Sequence, residues 1–491
     1  MQAHYTQGSI YKHIISMSAM SAVGLLSIFI VDLVDLYFLS LLGEIEMASA
    51  VGFAGTILFF TIAISIGFMI AMGALVAREI GAKNVDAARH YFINIMVICT
   101  IVGLFIGFLV WLYTPELLSL MGAKGRTLEL SSAYLSIIVP SLPILCIGMS
   151  ATGALRSVGD AKQGMFVTLV AGIVNAVLDP IFIFTLDMGI EGAAWASVLA
   201  RVAMMVYALY FIIKKHDLLV KFNASKFVQD LSEISKVAVP AILTNIATPI
   251  GNAYIMFTLA NFGDSAVAGY SIIGRILPVA FCMVFAISGA VGPIIGQNHG
   301  AGLYNRVRET ISKSFVVIVV YCLIVSIILY IIKNNIVNMF GVDGEAEYLI
   351  VMFCIWVAIL TIFRGFLFVA NASFNNLGKA KYSTVMNFGK ATIGTIPFVY
   401  YGAIYYGAFG IMLFEAIGAV VFGIISSVLA FRVINQLERD HDVTTEEDIS
   451  KHISETQHLG STASSLARTM ECNTYEHGFW KRQVYKIKKL F

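Results

Sequence analysis

The sequence predicts an all-α polytopic membrane protein, with twelve transmembrane helices in two pseudo-symmetric six-helix lobes. Three observations carry that expectation. The 491 residues are 58% hydrophobic and only 13% charged, with a mean hydropathy of +0.84, against about 45–50% apolar and about 25% charged residues in soluble domains. The apolar residues gather into runs of the roughly 20 residues that a bilayer core requires. Finally, the two halves of the chain repeat one another.

The runs fall near 14–42, 51–77, 91–113, 131–155, 164–186 and 192–213 in the first half, and near 237–260, 268–295, 314–333, 347–373, 383–406 and 409–433 in the second. Charged or glycine-rich clusters such as "REIGAKNVDAAR" (78–89), "RSVGDAKQG" (156–164) and "KKHDLLVKFNASK" (214–226) separate them. Lys83, Arg89, Arg156, Lys162, Lys214, Lys215, Arg306, Arg308, Lys379 and Lys381 fall in one set of alternate loops, whereas Lys124, Arg126 and Lys333 fall in the other. The positive-inside rule then places both termini in the cytoplasm of a multi-pass protein of the cell membrane. The expected domains are an N-lobe (1–213), a cytoplasmic linker (214–236), a C-lobe (237–433) and a cytoplasmic tail (434–491). The basic-aromatic end of the tail, "WKRQVYKIKKLF", suits either solvent or an anionic membrane surface.

Composition also excludes several classes. A net charge of +2 gives no reason to expect a nucleic-acid partner. The six cysteines form no CxxC pair, and Cys99, Cys146, Cys282, Cys322 and Cys354 lie in apolar runs, which argues against a disulfide or zinc framework. The first apolar run is too long for a cleavable signal peptide. No Walker A, HExxH or GxSxG motif is present, so neither an enzyme nor a nucleotide-driven pump is expected and no cofactor is implied.

The repeat has an offset of 219 residues. It superposes Gly81-Ala82 on Gly300-Ala301, Arg89 on Arg308, Gly159 on Gly378 and Lys162 on Lys381. Six helices per half is an even number, so the halves share one orientation in the membrane. Parallel repeats of this kind pack about an axis along the membrane normal, with a cleft between lobes that rock. That is the architecture of a transporter, driven by an ion gradient in the absence of a nucleotide site.

An Asp at mid-membrane costs about 2.5–3.5 kcal/mol on insertion scales and is a functional candidate by default. Asp32 and Asp35 stand three apart in "FIVDLVDLYF", on one helix face. Asp179 in "NAVLDPIFIF" has Asn175 at i−4, and Pro180 deprives the Ala176 carbonyl of its helical donor. Asn175, Asp179 and that carbonyl form an oxygen-rich cluster suited to a proton or to Na⁺. A helix cap is the competing reading for Asp179, and a wet helix end the competing reading for Asp35. The second half keeps a proline at Pro397 but has no acid there. Its in-membrane charges are Arg275, Arg364, Lys390 and Glu415. Lys390 is expected to snorkel to the interface. Arg364 and Glu415 form either a structural ion pair or, through Glu415, a second cation site.

"VDLYFLSLLGEIEMASAVG", "LRSVGDAK", "NAVLDPIFIFTLDMGIEGAAWASV" and "GQNHGAGLYNRVR", in this order, resemble the multidrug and toxic compound extrusion (MATE) family over about residues 14–433. The resemblance implies export of organic cations and drugs in exchange for H⁺ or Na⁺ by a protein that functions as a monomer. It also implies a coupling network of Asp35, Asn175 and Asp179, with a hydroxyl at Ser197; Asp32 lies outside the family pattern. A Na⁺ ion would bind Asp35, Asn175 and Asp179. Tyr37, Tyr254, Glu415 and Arg364 are the expected substrate-cleft residues. The family's usual first-helix proline is missing from "ISMSAMSAVG", although Pro240 stands at the related place in the second half. Two alternatives stay open: a lipid-linked precursor flippase of a related branch, which would use Arg275 and Arg364 on phosphates, and a non-transporting receptor signalling through its tail.

Overall fold

The computed structural model describes the backbone of residues 3–40 and 45–473. Side chains within them are described except at 32, 33, 35–37, 39, 40, 45, 46, 48 and 444–473. All regular secondary structure among the described residues is helical, because inside a bilayer each backbone N–H and C=O must be satisfied within its own segment. The membrane helices are α1 (Ile10–Ser40), α2 (Ile45–Gly81), α3 (Val85–Leu112), α4 (Gly125–Ser157), α5 (Ala161–Pro180) and α6 (Gly189–Phe211). The second set is α7 (Ala224–Leu259), α8 (Asp264–Ala280 with Cys282–Gly300), α9 (Tyr304–Phe340), α10 (Gly344–Asn376), α11 (380–406) and α12 (408–434).

Ten helices among the described residues are each long and apolar enough to cross a membrane, and the two parts of α8, bent by 47°, make an eleventh span. The twelfth lies within the stretch Ala380–Val443, which is interrupted at Gly407 by a non-helical φ of 63°. A Cβ on Gly402 would overlap the Gly410 carbonyl, and one on Gly418 would overlap the Gly394 carbonyl. The two partner pairs close symmetrically about residue 406, so α11 and α12 are an antiparallel hairpin packed glycine on backbone. The expected twelve helices are therefore present.

Short turns with local caps join neighbouring helices. Asn84 caps α3 through Ala87 N at 3.2 Å, Asp160 caps α5 through Gln163 N at 3.4 Å, and Asn223 caps α7 through Ser225 N at 3.0 Å. Residues 217–223 are non-helical, and 224–236 form the first turns of α7.

The 219-residue repeat reappears in three dimensions. Ile101, Leu104, Phe105, Phe108 and Leu112 on α3 are exposed large apolar residues, and so are Val320, Leu323, Ile324, Ile327 and Ile331, their counterparts on α9. An apolar stripe at the same five places in both repeats is a surface built for lipid rather than water. Helices α2 and α8 cross at the ends that carry the basic loops, here termed the basic face. There a Cβ on Gly81 would overlap the Gln297 carbonyl, and a Cβ on Gly300 would overlap that of Arg78. Residues 78 and 297, like 81 and 300, are repeat mates, so the contact is a two-fold one that only glycine permits.

The N-terminal segment lies against this crossing. His4–Thr6 forms one 3-10 turn with Tyr5 buried. The Tyr5 N–H donates to Gln297 Oε1 (2.8 Å), and Gln297 Nε2 donates on to the Ser157 carbonyl (2.7 Å). Asn298 Nδ2 and Arg306 Nη2 both donate to the Tyr5 carbonyl at 3.1 Å. His4 packs on Gly159, whose φ of 93° places it in the left-handed region. Residues 3–8 thus bond simultaneously to α4 of the first repeat and to α8 and α9 of the second. The chain divides at residue 434: residues 435–491 are a separate unit whose described part, 435–473, is helical. The basic-aromatic end at 480–491 lies outside the described residues.

Candidate functional site

Helix α5 carries the expected cluster. It ends at Pro180, and a π-helical turn, Ile181–Thr185, follows. The cause is local: Pro180 offers no N–H to the Ala176 carbonyl, and the next donor, Ile181 N–H, turns back to Leu178 O. Gly192 of α6 lets that helix pack directly on the Phe182 backbone, and Met188 N–H donates to Phe182 O at 3.1 Å. The break is thereby held from both sides.

Asp179 is fully buried and Asn175 is 7% exposed. Asn175 Nδ2 donates to Asp179 Oδ2 at 2.7 Å, the i, i+4 contact expected from the spacing. Ser197 Oγ on α6 donates to Asn175 Oδ1 at 3.5 Å, the limit of a hydrogen bond. The structure therefore joins Asn175, Asp179 and Ser197. A carboxylate that accepts from an amide while shielded from water is poised to take either a proton or a hard cation. Asp179 lies within the last helical turn and its side chain meets another side chain, so it is not an end cap.

The side chains of Asp32, Asp35 and Tyr37 lie outside the described residues. Their backbone belongs to α1, one uninterrupted α-helix that runs alongside α5. Gly24 meets Thr168, Val31 meets Gly172, and the Phe38 and Phe184 rings stand edge to face at 5.9 Å. These register points put the backbone of residue 35 level with the α5 segment that carries Asn175 and Asp179. Gly172 fits closely there: Val31 Cγ2 lies 3.2 Å from where its Cβ would be.

The second repeat holds a different assembly. Glu415 of α12, 6% exposed, accepts from Arg364 Nη2 of α10 at 2.9 and 3.0 Å, and from Lys390 Nζ of α11 at 2.5 Å. The ion pair of Arg364 and Glu415 expected from sequence is present. Lys390 corrects its expected role: it does not snorkel but turns inward, since a buried carboxylate on the next helix attracts it more strongly than the interface does. Tyr254 is half-buried on α7 and Arg275 is exposed on α8. Sequence reasoning missed Arg201 on α6, whose Nη1 donates to Ile138 O (3.0 Å) and Ser141 Oγ (2.8 Å), where α4 loosens into a 3-10 turn. A lone arginine within an apolar run was the available signal.

Twelve membrane helices in two like repeats, with a buried Asn175–Asp179 pair in the first, define a membrane transporter rather than an enzyme. Comparison narrows the class. The MatE family model matches residues 21–181 and again 240–401, two matches that start 219 residues apart, and the chain belongs to that family. It is 26% identical over 431 residues to an FAD transporter of Shewanella oneidensis, covering 86% of this chain and 94% of the relative. It is 24% identical over 442 residues to the multidrug export protein MepA of Staphylococcus haemolyticus, covering 89% and 97%. The fold matches a crystal structure of MATE in complex with MaL6 with a TM-score of 0.84 at 22% identity, covering 89% of this chain and 99% of the other.

Proposed function

We propose that this MatE-family transporter is a secondary antiporter that exports organic cations and drugs from the cytoplasm in exchange for H⁺ or Na⁺. The observation that carries the reading is the buried Asn175–Asp179 pair beside the Pro180 break, with Ser197 in reach. Asp35, level with it on α1, completes the coupling site. Protonation or Na⁺ binding there competes with cargo or changes how α1 and α5 pack, and the cleft between the lobes opens alternately to the two sides. The basic face is cytoplasmic by the positive-inside rule, the protein resides in the cell membrane, and one chain suffices. MepA, a multidrug exporter, supports the cargo class. The flippase alternative is weakened because Arg364, one of its two phosphate-binding candidates, is committed to Glu415.

The test is efflux of a fluorescent organic cation from proteoliposomes in which ΔpH and the Na⁺ gradient are imposed separately. One gradient should drive wild-type efflux, and Asp179→Asn and Asp35→Asn should each abolish the dependence on it. Wild-type rates in both variants would refute the site.

A further inference from the structure

We infer that Arg156 is an anion-binding residue at the junction of the two repeats. The cargo range then extends to amphipathic organic molecules that carry a phosphate or carboxylate. The cargo role rests on the transport reading above; the anion site itself does not.

Arg156 belongs to "RSVGDAKQG", a motif that the coupling site leaves unused. It sits in the last turn of α4, and helical side chains lean toward their own N-terminus, so its guanidinium runs from the basic face into the protein. Its stem passes Gly164 of α5, where an added Cβ would lie 3.2 Å from Arg156 Cγ. Its head lies over Gly289 of α8, where an added Cβ would lie 2.9 Å from Arg156 Nη1. Two glycines thus make room for one arginine, one from each repeat. Gly289 precedes Gln297 by eight residues, which places the guanidinium about 12 Å deeper than the α2–α8 crossing.

Half-buried cations elsewhere in the membrane helices have acceptors: Arg201 on Ile138 and Ser141, and Arg364 and Lys390 on Glu415. Arg156, half-buried, makes no side-chain hydrogen bond or ion pair among the described residues. Asp160, the carboxylate nearest in sequence, is taken by Lys215 Nζ at 2.7 Å and His216 Nε2 at 2.9 Å. The Tyr5 hydroxyl reaches only the Arg156 carbonyl, at 3.4 Å. A guanidinium cannot relieve its burial by losing a proton, so five donors are left without an acceptor from the protein. Its planar fork matches the two oxygens of a phosphate or carboxylate. The repeat mate of Arg156 is Asn375, which is uncharged, so the cation belongs to one lobe only.

Riboflavin 5′-phosphate and riboflavin share one ring system and differ by the phosphate, which makes them the probe pair. Binding to the purified full-length protein is read by flavin fluorescence. Wild type should bind the phosphate form at least tenfold more tightly, with inorganic pyrophosphate displacing it. Arg156→Gln should equalise the two, and Arg156→Lys should keep part of the preference as a point charge. Equal affinities in wild type, or a preference that survives Arg156→Gln, overturn the inference. If Arg156→Gln does not fold, wild type and Arg156→Lys decide: failure of pyrophosphate to displace, or a lysine variant with undiminished preference, overturns it. Dye efflux from the same preparation separates the readings. Efflux without phosphate preference refutes the anion site alone, and phosphate preference without efflux refutes the exporter alone.

Discussion

Glu415, itself buried, accepts hydrogen bonds from two cations, so its loss should be felt more strongly than that of any single neighbour. Glu415→Gln leaves Arg364 and Lys390 buried together without a counter-charge, and a broken buried pair typically costs about 3–5 kcal/mol. A clear fall in thermal midpoint is expected in detergent, recovered in part when Lys390→Met is added. Ser197→Ala should be mild: its bond to Asn175 is at the distance limit, and less than about 1 kcal/mol is at stake. Its efflux rate should stay within about fivefold of wild type. The sequence made Asn175 and Asp179 legible because both partners stand on one helix at i, i+4, where linear spacing fixes spatial contact. Lys390 and Arg201 were not legible, because their direction is decided by groups on other helices. A lysine near a helix end reads as snorkelling until the carboxylate at 415 is placed beside it.

At the scale of elements, Asp160 caps α5 and also ties it to the end of α6 through Lys215 and His216. Burial pushes its carboxyl up, but hydrogen bonds from His216 and Lys215, the charge of Lys215 and the Gln163 N–H outweigh that, and its pKa falls to about 2. A carboxylate whose pKa is depressed on folding stabilises the fold fully above its unfolded value, near 4, and loses that contribution as pH falls through about 2. Wild type should therefore lose thermal stability between about pH 4 and 2, and Asp160→Asn should show a flatter profile there with lower stability at pH 7. The crossing of α2 and α8 yields a paired expectation. Gly81→Ala and Gly300→Ala each drive a methyl into a backbone carbonyl, so both should part the helices at the basic face. Maleimide labelling of a cysteine at Ser157 should rise in both variants to a similar extent; a rise in only one would contradict the two-fold contact. Most elements were legible from run length and loop punctuation. The bend at Phe281 in α8 was not, because Pro278 stands three residues before it and several helices of this chain carry a proline without breaking.

Across residues 1–434, the basic face is held by three things: the glycine crossing, the Gln297–Ser157 bond, and the segment 3–8 that bonds to both repeats. The alternating access proposed above would require those bonds to break together when that face opens. Deleting residues 3–8 should lower the barrier, raising the labelling of Ser157→Cys while leaving the α5 cluster intact. An unchanged labelling rate would show that the segment merely rests there. The repeat announced the pairing of 81 with 300, since like residues at a fixed offset end up related by symmetry. Nothing in "HYTQG" announced its place, because five residues before a helix carry no periodicity to read.

The way Tyr5 is tied to both repeats bears on how the protein is handled at the bench. An affinity handle or fluorescent partner joined ahead of residue 3 would pull on the segment whose Tyr5 bonds to both repeats. Such a fusion is expected to loosen that segment and so to bias the population it is meant to report on. Reporters belong instead after residue 434 or in the turn at 217–223, both outside the segment that bonds to the two repeats.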